Sequence, residues 1–415
     1  MVESKKRLRR LVVKFGGSTL GDGERISKAV GAIADEVAKG SKLVVVVSAM
    51  GKTTDHLLET ANKASRGEVA RQELDDILSM GERTSSRIFM TALSAKGVKS
   101  RYFDPTGSDW PIITDQSFGD AAPLLEACRK RIKRYIQPLI EQNVVPVIPG
   151  FVGKTLDGKI TTLGRGGSDT TAFILARYLS ADEVVLVTDV DGILTADPKL
   201  VQKPKRLSEV DADVLARIAD SGTKFVHKKA LKYKDEAIPV RVINYSEGRL
   251  DAKGSLITGA FPRELCCELA SQREVASLTI VGQGISEEPA VIPEIVAKIR
   301  DRRVPLLGAS INYDSLIAYI PQDQLDDLLQ PIHSIVLRHK GTVAMAVRQG
   351  LAFLKVRGVG LEETHGVVGR ISEPLRQNRI NIFGIFTITS SIIVFVSWND
   401  REKAMALIRD SLKGG

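Results

Sequence analysis

The stretch TTLGRGGSDTTA, Thr161 to Ala172, packs three glycines, an arginine and an aspartate into twelve residues directly ahead of the apolar-periodic run FILARYL. Glycines allow a backbone to approach a ligand closely, and a helix N-terminus attracts anions. Arg165 carries a planar fork suited to a carboxylate or phosphate. Asp169 does not fit an anion site unless a metal or a lysine accompanies it. The loop therefore points to an anionic substrate, a cation and a reaction between them.

A lysine of the right kind stands early in the chain. In RLVVKFGG, Lys14 closes an apolar run and precedes Gly16 and Gly17, whose main-chain N–H groups can face phosphate oxygens. A mobile ammonium there reaches a β- or γ-phosphate. The segment TDVDGILTADPKL, Thr188 to Leu200, follows another apolar run. Its aspartates can cap or turn the chain, or seat an adenosine with Lys199 reaching phosphate. GTKFVHKKAL adds Lys224 near an expected helix start, and SMGERTSS sets Glu82 in a helical run. GFVGKT, Gly150 to Thr155, imitates a Walker loop, but its glycines are too close together for one. It reads as a β-turn. No G-x-G-x-x-G follows a strand.

These residues need rigid supports. RLVVKF, KLVVVV, VVPVIP and EVVLVT are continuous apolar runs, as expected of strands buried on both faces. Helical patterns lie between them, including RISKAVGAIADEVAKG. The alternation predicts an α/β fold: an open, mostly parallel sheet covered by helices on both faces. The loops KFGGST, VSAMGKTTD and VTDVDG would all lie at the carboxyl ends of strands, where such sheets bind ligands.

Beyond about residue 262 the character changes. LTIVGQG…SLIAYI and LKVRGVG…SIIVFV align without a gap. Gly282 pairs with Gly358, Gly284 with Gly360 and Gly308 with Gly384, each at the same offset (358 − 282 = 384 − 308 = 76). This is an internal duplication of a strand–helix–strand–strand–helix unit. It carries few charges able to do chemistry together, so binding or pairing is expected of it. The predicted domains are 1–262, 263–340 and 341–415.

The chain has 415 residues, 43% hydrophobic and 26% charged, with a net charge of +9. That charge suits phosphate and carboxylate substrates. Aromatics are only 5% and basic runs interleaved with them are missing, so nucleic acid is not an expected partner. No apolar run approaches the length of a membrane span. Cys128, Cys266 and Cys267 lack metal spacing, and their use fits a reducing, cytoplasmic setting. No protein-ligated metal site is expected.

KFGG, VVSAM, SMGER.SS, ITD..FG, TTLGRGGSDTTA, TDVDGI.TADP and G.KFVH occur in one order over nearly the whole chain. Together they resemble the amino acid kinase superfamily, and within it the aspartokinases. The duplicated tail resembles paired ACT domains, which are ferredoxin-like α+β modules that sense amino acids.

The resemblance implies ATP as cosubstrate with Mg²⁺, and phosphorylation of the β-carboxylate of L-aspartate. That reaction opens lysine, threonine and methionine biosynthesis and is regulated by an end-product amino acid. It implies that Lys14 and Asp169 are catalytic. Arg165 would grip the α-carboxylate of aspartate and Glu82 its ammonium, with Ser48, Thr54, Phe118 and Ser168 lining the pocket. Gly16, Gly17, Ser18, Thr188, Asp189, Lys199 and Lys224 would hold ATP together with Lys14. A homodimer or larger homo-oligomer through the ACT domains is implied as well. The chain departs from the family in Ser18-Thr19 order, in Leu194 where relatives carry an aromatic, in Asp55, and in the effector-loop segments SINYDS and FTITSS. The alternatives weighed are a related kinase acting on another carboxylate or on a nucleoside monophosphate, a non-catalytic amino-acid sensor, and a nucleic-acid binder.

Overall fold

Leu11, Val12, Val13 and Phe15 are all buried, as are Leu43 through Val47. Strands of this composition cannot sit at a surface, and in a parallel sheet helices cover both their faces. The computed structural model describes residues 8–219, 226–262, 264–358, 361, 365–388 and 391–413. The chain divides into two units, Met1–Arg263 and Glu264–Gly415.

The strands of the first unit are β1 (Arg10–Phe15), β2 (Lys42–Val47), β3 (Ser100–Tyr102), β4 (Val145–Pro149), β5 (Val152–Lys154), β6 (Ile160–Thr162), β7 (Glu183–Thr188), β8 (Glu209–Asp211), β9 (Val240–Asn244) and β10 (Ser255–Thr258). Its helices are α1 (Gly23–Ala38), α2 (Thr53–Ala64), α3 (Arg71–Ala95), α4 (Leu125–Arg131), α5 (Gln137–Glu141), α6 (Gly167–Leu179), α7 (Ala212–Ala219) and α8 (Lys228–Leu231). Eight strands form one sheet in the order β3-β4-β2-β1-β7-β9-β10-β8. It is parallel except where β10 meets β9. β5 and β6 form a separate hairpin.

Strand alternation sorts the side chains. Leu11, Val13 and Phe15 join Val45, Val47, Val185 and Val187 in a core with Ile26, Val30 and Ile33 of α1 and Phe89 and Leu93 of α3. Lys14 therefore faces the other side, where α6 packs on β1. Fully burying one such aliphatic side chain stabilises by about 1.5–3 kcal/mol, which fixes the register that aims Lys14.

The GFVGKT segment is not the expected β-turn. Phe151 takes a left-handed conformation (φ 65°), and Val152–Lys154 then runs as a strand against Ile160–Thr162. The turn lies beyond it, where the Gly158 N–H donates to Thr155 O.

The second unit repeats one pattern twice. After β11 (Cys266–Leu269) come β12 (Val275–Val281), α9 (Val291–Asp301), β13 (Gly308–Ile311), β14 (Ser315–Pro321) and α10 (Asp326–Arg338). Then come β15 (Ala344–Arg357), α11 (Val367–Gln377), β16 (Gly384–Ile388), β17 (Ser391–Ser397) and α12 (Arg401–Lys413). Gly308 and Gly384 each open the corresponding strand, as the constant offset requires; Gly360 lies outside the described residues.

All seven strands form one antiparallel sheet. The reason is β15, which has 14 residues where its counterpart β12 has 7. Its first part pairs with β12 of the first repeat, and Leu351–Arg357 pairs with β17 of the second. Tyr319 of the first repeat stacks on Phe395 of the second at 3.9 Å between centroids, and Phe353 and Phe386 complete the seam.

Strand pairing crosses the division expected at 340. β11, placed in 263–340 by sequence, pairs with β15 from Cys266↔Arg357 to Leu269↔Leu354. Cys267 is buried in the core of the second repeat, and its carbonyl accepts from Arg409 Nε of α12. Strand pairing is non-local: β11 pairs with the second repeat just as the first part of β15 pairs with the first.

Candidate active site

Three loops meet at the carboxyl ends of β1, β2 and β4. The Ser48 N–H donates to Phe15 O, the Gly51 N–H to Gly17 O and the Gly150 N–H to Val47 O. Gly17 is required for this closeness, since a Cβ there would stand 2.7 Å from Ala49 O. The phosphate-cradle reading of Gly17 thus acquires a second, structural reason. The Gly16 N–H donates to Val187 O, and the β1–β7 register brings Thr188 opposite Gly16.

Lys14 points into this region and its Nζ lies 2.7 Å from Asp169 Oδ1. Asp169 is in the first turn of α6 and is buried. A carboxylate there is favoured by the helix dipole as well as by the lysine. The pair is half-shielded from water, with side-chain exposures of 16% and 9%, so its attraction is stronger than a surface pair's. The helix begins after Gly166, whose φ of 74° belongs to the left-handed region; a Cβ there would meet His227 Cβ at 2.4 Å. Arg165, between Gly164 and Gly166, is exposed and forms no ion pair with a described residue.

A hydroxyl chain ties α6 to α3. Ser48 Oγ donates to Ser168 Oγ (3.0 Å), and Ser85 Oγ of α3 donates to Ser48 O (2.7 Å). Glu82 sits one turn earlier on α3 and is only 4% exposed. Its Oε2 has no hydrogen-bond partner among the described residues. Burial pushes its carboxyl up to about 7, opposed by the Ala49 main-chain amide. A buried carboxylate in this condition gains most from a cation placed beside it. Thr54, half-buried near the start of α2, lies beside Gly81 of the same α3 segment.

Asp75, two turns before Glu82 on the same face, was not singled out from sequence. It is 1% exposed and accepts the Gly119 N–H (2.9 Å), the Thr162 N–H (2.9 Å) and Thr162 Oγ1 (2.7 Å). Its carboxylate thereby fastens the Phe118 loop and the strand leading to Arg165 onto α3. Burial raises its pKa and the three donors oppose that rise. The buried positions 75, 78, 79, 82, 85, 86, 89 and 93 of α3 trace one helical stripe, a signal present in the sequence. Lys229 adds a second fastening, bonding Asp120 and donating to Leu163 O.

Of the residues assigned to ATP, Gly16, Gly17, Ser18, Thr188 and Asp189 gather at the tips of β1 and β7. Thr188 Oγ1 donates to Asp189 Oδ1, and Asn244 Nδ2 of β9 holds Asp191 Oδ1 at 2.7 Å. Lys199 is exposed on the long excursion after β7, where its N–H donates to Asp197 Oδ1. Lys224 lies outside the described residues. No group of three or more His, Cys, Asp or Glu among the described residues could cage a metal ion.

The amino acid kinase family profile matches residues 9–244, more than half of the chain. The chain belongs to the amino acid kinase family. Within it, the chain is 31% identical to an aspartate kinase of Stutzerimonas stutzeri, over 97% of both chains. It is 30% identical to an aspartokinase of Geobacillus stearothermophilus, over 90% of this chain and 89% of that one. An aspartate kinase structure from Synechocystis superposes with a TM-score of 0.81 at 26% identity, covering 98% of this chain and 70% of that one. The fold is shared with Escherichia coli aspartokinase III in complex with aspartate and ADP, at TM-score 0.54 and 23% identity. The ACT domain profile matches residues 346–410, inside the second repeat. This amino acid kinase is an aspartokinase by those relationships. Among the described residues no helix is long and apolar enough to cross a membrane.

Proposed function

We propose that this chain transfers the γ-phosphate of ATP to the β-carboxylate of L-aspartate, giving 4-phospho-L-aspartate. The observation that carries the reading is the 2.7 Å contact of Lys14 with Asp169, together with a buried Glu82 oxygen that has no hydrogen-bond partner among the described residues. Phosphoryl transfer asks a protein mainly for in-line positioning and for positive charge around the moving group. The β-carboxylate is already ionised near neutral pH, so no general base is needed, and the site has no catalytic histidine. Lys14, oriented by Asp169, meets the charge that develops on the transferring group. Glu82 receives the ammonium of aspartate and Arg165 its α-carboxylate. Ser48, Thr54, Phe118 and Ser168 shape the pocket between them. The tips of β1 and β7 take the nucleotide, with Lys199 and Lys224 as further phosphate contacts.

Mg²⁺ fits this site as a passenger of the triphosphate, because the donor set offers single carboxylates and no cage. When bound it offsets phosphate charge; all positioning falls to the protein. The activity places the enzyme at the head of lysine, threonine and methionine biosynthesis in the cytoplasm, with the duplicated unit sensing an end-product amino acid. The outer strands β13 and β16 each pair on one edge only and expose Ile311 and Ile388 at 49% each. Open edges of this kind suit a second copy of the chain.

The test is ADP release with hydroxylamine trapping of the acyl phosphate. L-Aspartate should give a hydroxamate, and succinate, which lacks the ammonium, should react at least about tenfold more slowly at equal concentration. Equal rates with the two acids would remove Glu82 from its role and favour another carboxylate as substrate.

A further inference from the structure

The residues from Leu125 to Glu141 form one continuous helical run, but its middle is not α-helical. Ile132–Ile136 is a π-helical turn, and the Gln137 N–H reaches back to Ile132 O. Pro138 sits just past it. A proline has no N–H to give the carbonyl four residues earlier, here Arg134, so the ladder is already broken at that point. Turns of this type are rare and concentrate at functional sites.

The widened face opposes the far end of the β5–β6 hairpin. Between them lies a cavity of about 560 Å³, within the size range of small-molecule sites. It is lined by Lys130, Arg131 and Arg134 of the helix, by Tyr135, and by Lys154 and Asp157 of the hairpin. Four cations thus face one carboxylate. None of the residues assigned to the kinase reaction lines it. Strand β5, three residues long, separates it by about 10 Å from the loop at Gly150.

The positive charge is poorly answered by the protein. Arg131 donates to two neutral carbonyls, Trp110 O and Ser108 O. Arg134 has no carboxylate partner among the described residues and lies against the Tyr135 ring, 5.2 Å from its centroid. Lys130 is 4.0 Å from Glu126, a carboxylate already engaged by Arg129. Asp157 is held by Thr155 and approached by Lys159 at 3.6 Å. Lys154 is 8% exposed, and its ammonium donates to the Gly107 carbonyl. Burial and Arg131 lower its pKa, and the carboxylates Asp109 and Asp104 offset only part of that, so the protein keeps this ammonium at a cost. A solvated basic helix face would not require a buried lysine opposite it.

We propose that this cavity is a second anion site, separate from the kinase centre, which takes a small phosphate compound of two or more negative charges between Lys130, Arg134 and Lys154. Lys154 supplies the fixed, desolvated charge, and the two exposed helix cations close over the outer oxygens.

Pyrophosphate titrated calorimetrically into the full chain at low salt, without nucleotide, tests this. The wild type should bind with an affinity that falls as salt rises. The double variant Lys130→Glu with Arg134→Glu should lose about tenfold or more in that affinity while keeping its kcat and its circular dichroism spectrum. Lys14→Ala should retain the binding. Lys154→Met provides a second variant, expected to weaken binding without reversing surface charge. Binding that disappears in Lys14→Ala but survives in the double variant would assign the anion to the kinase centre and overturn the proposal. So would the lack of any binding heat in the wild type.

Discussion

In the kinase unit the buried side chains include Glu36, Asp75, Glu82, Lys154, Asp169, Glu183, Lys228 and Lys234; among the described residues of the duplicated unit the buried polar side chains are Ser277, Thr342 and Ser391, and none is charged. Both units are α/β layers with similar aliphatic cores, so core composition does not explain the difference. Burying an unanswered charge costs several kcal/mol, whereas a hydroxyl is easily satisfied by a nearby carbonyl. Some of the kinase unit's charges are structural, as with Glu183, which is bridged by Arg9 and Arg241. Asp169 and Glu82 are not explained in that way, since they converge on the strand tips. A unit that performs chemistry has to keep charge out of water, and a unit that binds and pairs does not.

The contrast is tested most severely at Lys14. Lys14→Ala should lower kcat by roughly 10³-fold, the scale of removing one preorganised charge from a transition state, with little change in melting temperature. A fall below tenfold would mean that the buried pair is structural, like Glu183 and its arginines. In the duplicated unit the same comparison predicts an effect on assembly rather than on chemistry. Ile311→Lys with Ile388→Lys should shift the mass by light scattering from at least twice 45.2 kDa toward 45.2 kDa. The dimer constant should weaken by about tenfold or more, with kcat far less affected than by Lys14→Ala. An unchanged mass would mean that these edges are not where copies meet.

The smallest effect concerns pH. Burial lifts the Glu82 carboxyl from 4.5 to about 7, so between those values the folded chain holds a proton that the unfolded chain has lost. Its contribution to stability therefore falls as pH rises through that window and is steady above it. Substrate binding has the opposite sign, because an ammonium needs the ionised carboxylate. The KM for aspartate should drop several-fold from pH 6 to pH 8, and Glu82→Gln should flatten both dependences. A wild-type KM that is constant across that range would contradict the assignment.

The apolar runs ending at Phe15, Val47 and Thr188 revealed the parallel sheet, because only strands buried on both faces are apolar without interruption. They also put Lys14, Gly16 and Thr188 at neighbouring strand tips. The constant spacing of 76 exposed the duplication. Asp75 stayed hidden because it stands beside Asp76, and only the helical stripe through Glu82 tells which of the two faces inward. The pairings of β11 and of the first part of β15 were not legible, because partner choice between distant strands leaves no local pattern. The π-turn was equally hidden, since Pro138 within a helical run signals a break and not its kind.

Strand β15 has a bearing on how the protein is made. Beside β14, the first repeat finds the second neighbour for β12 only in residues that follow it, at Ala344–Leu351. The second repeat needs β11, which precedes the first. During synthesis the first repeat cannot finish its sheet before Leu351 has left the ribosome, and until then it waits with one flank bare. The two halves therefore mature as one object, so a cut at residue 340 would leave two unfinished edges instead of two modules.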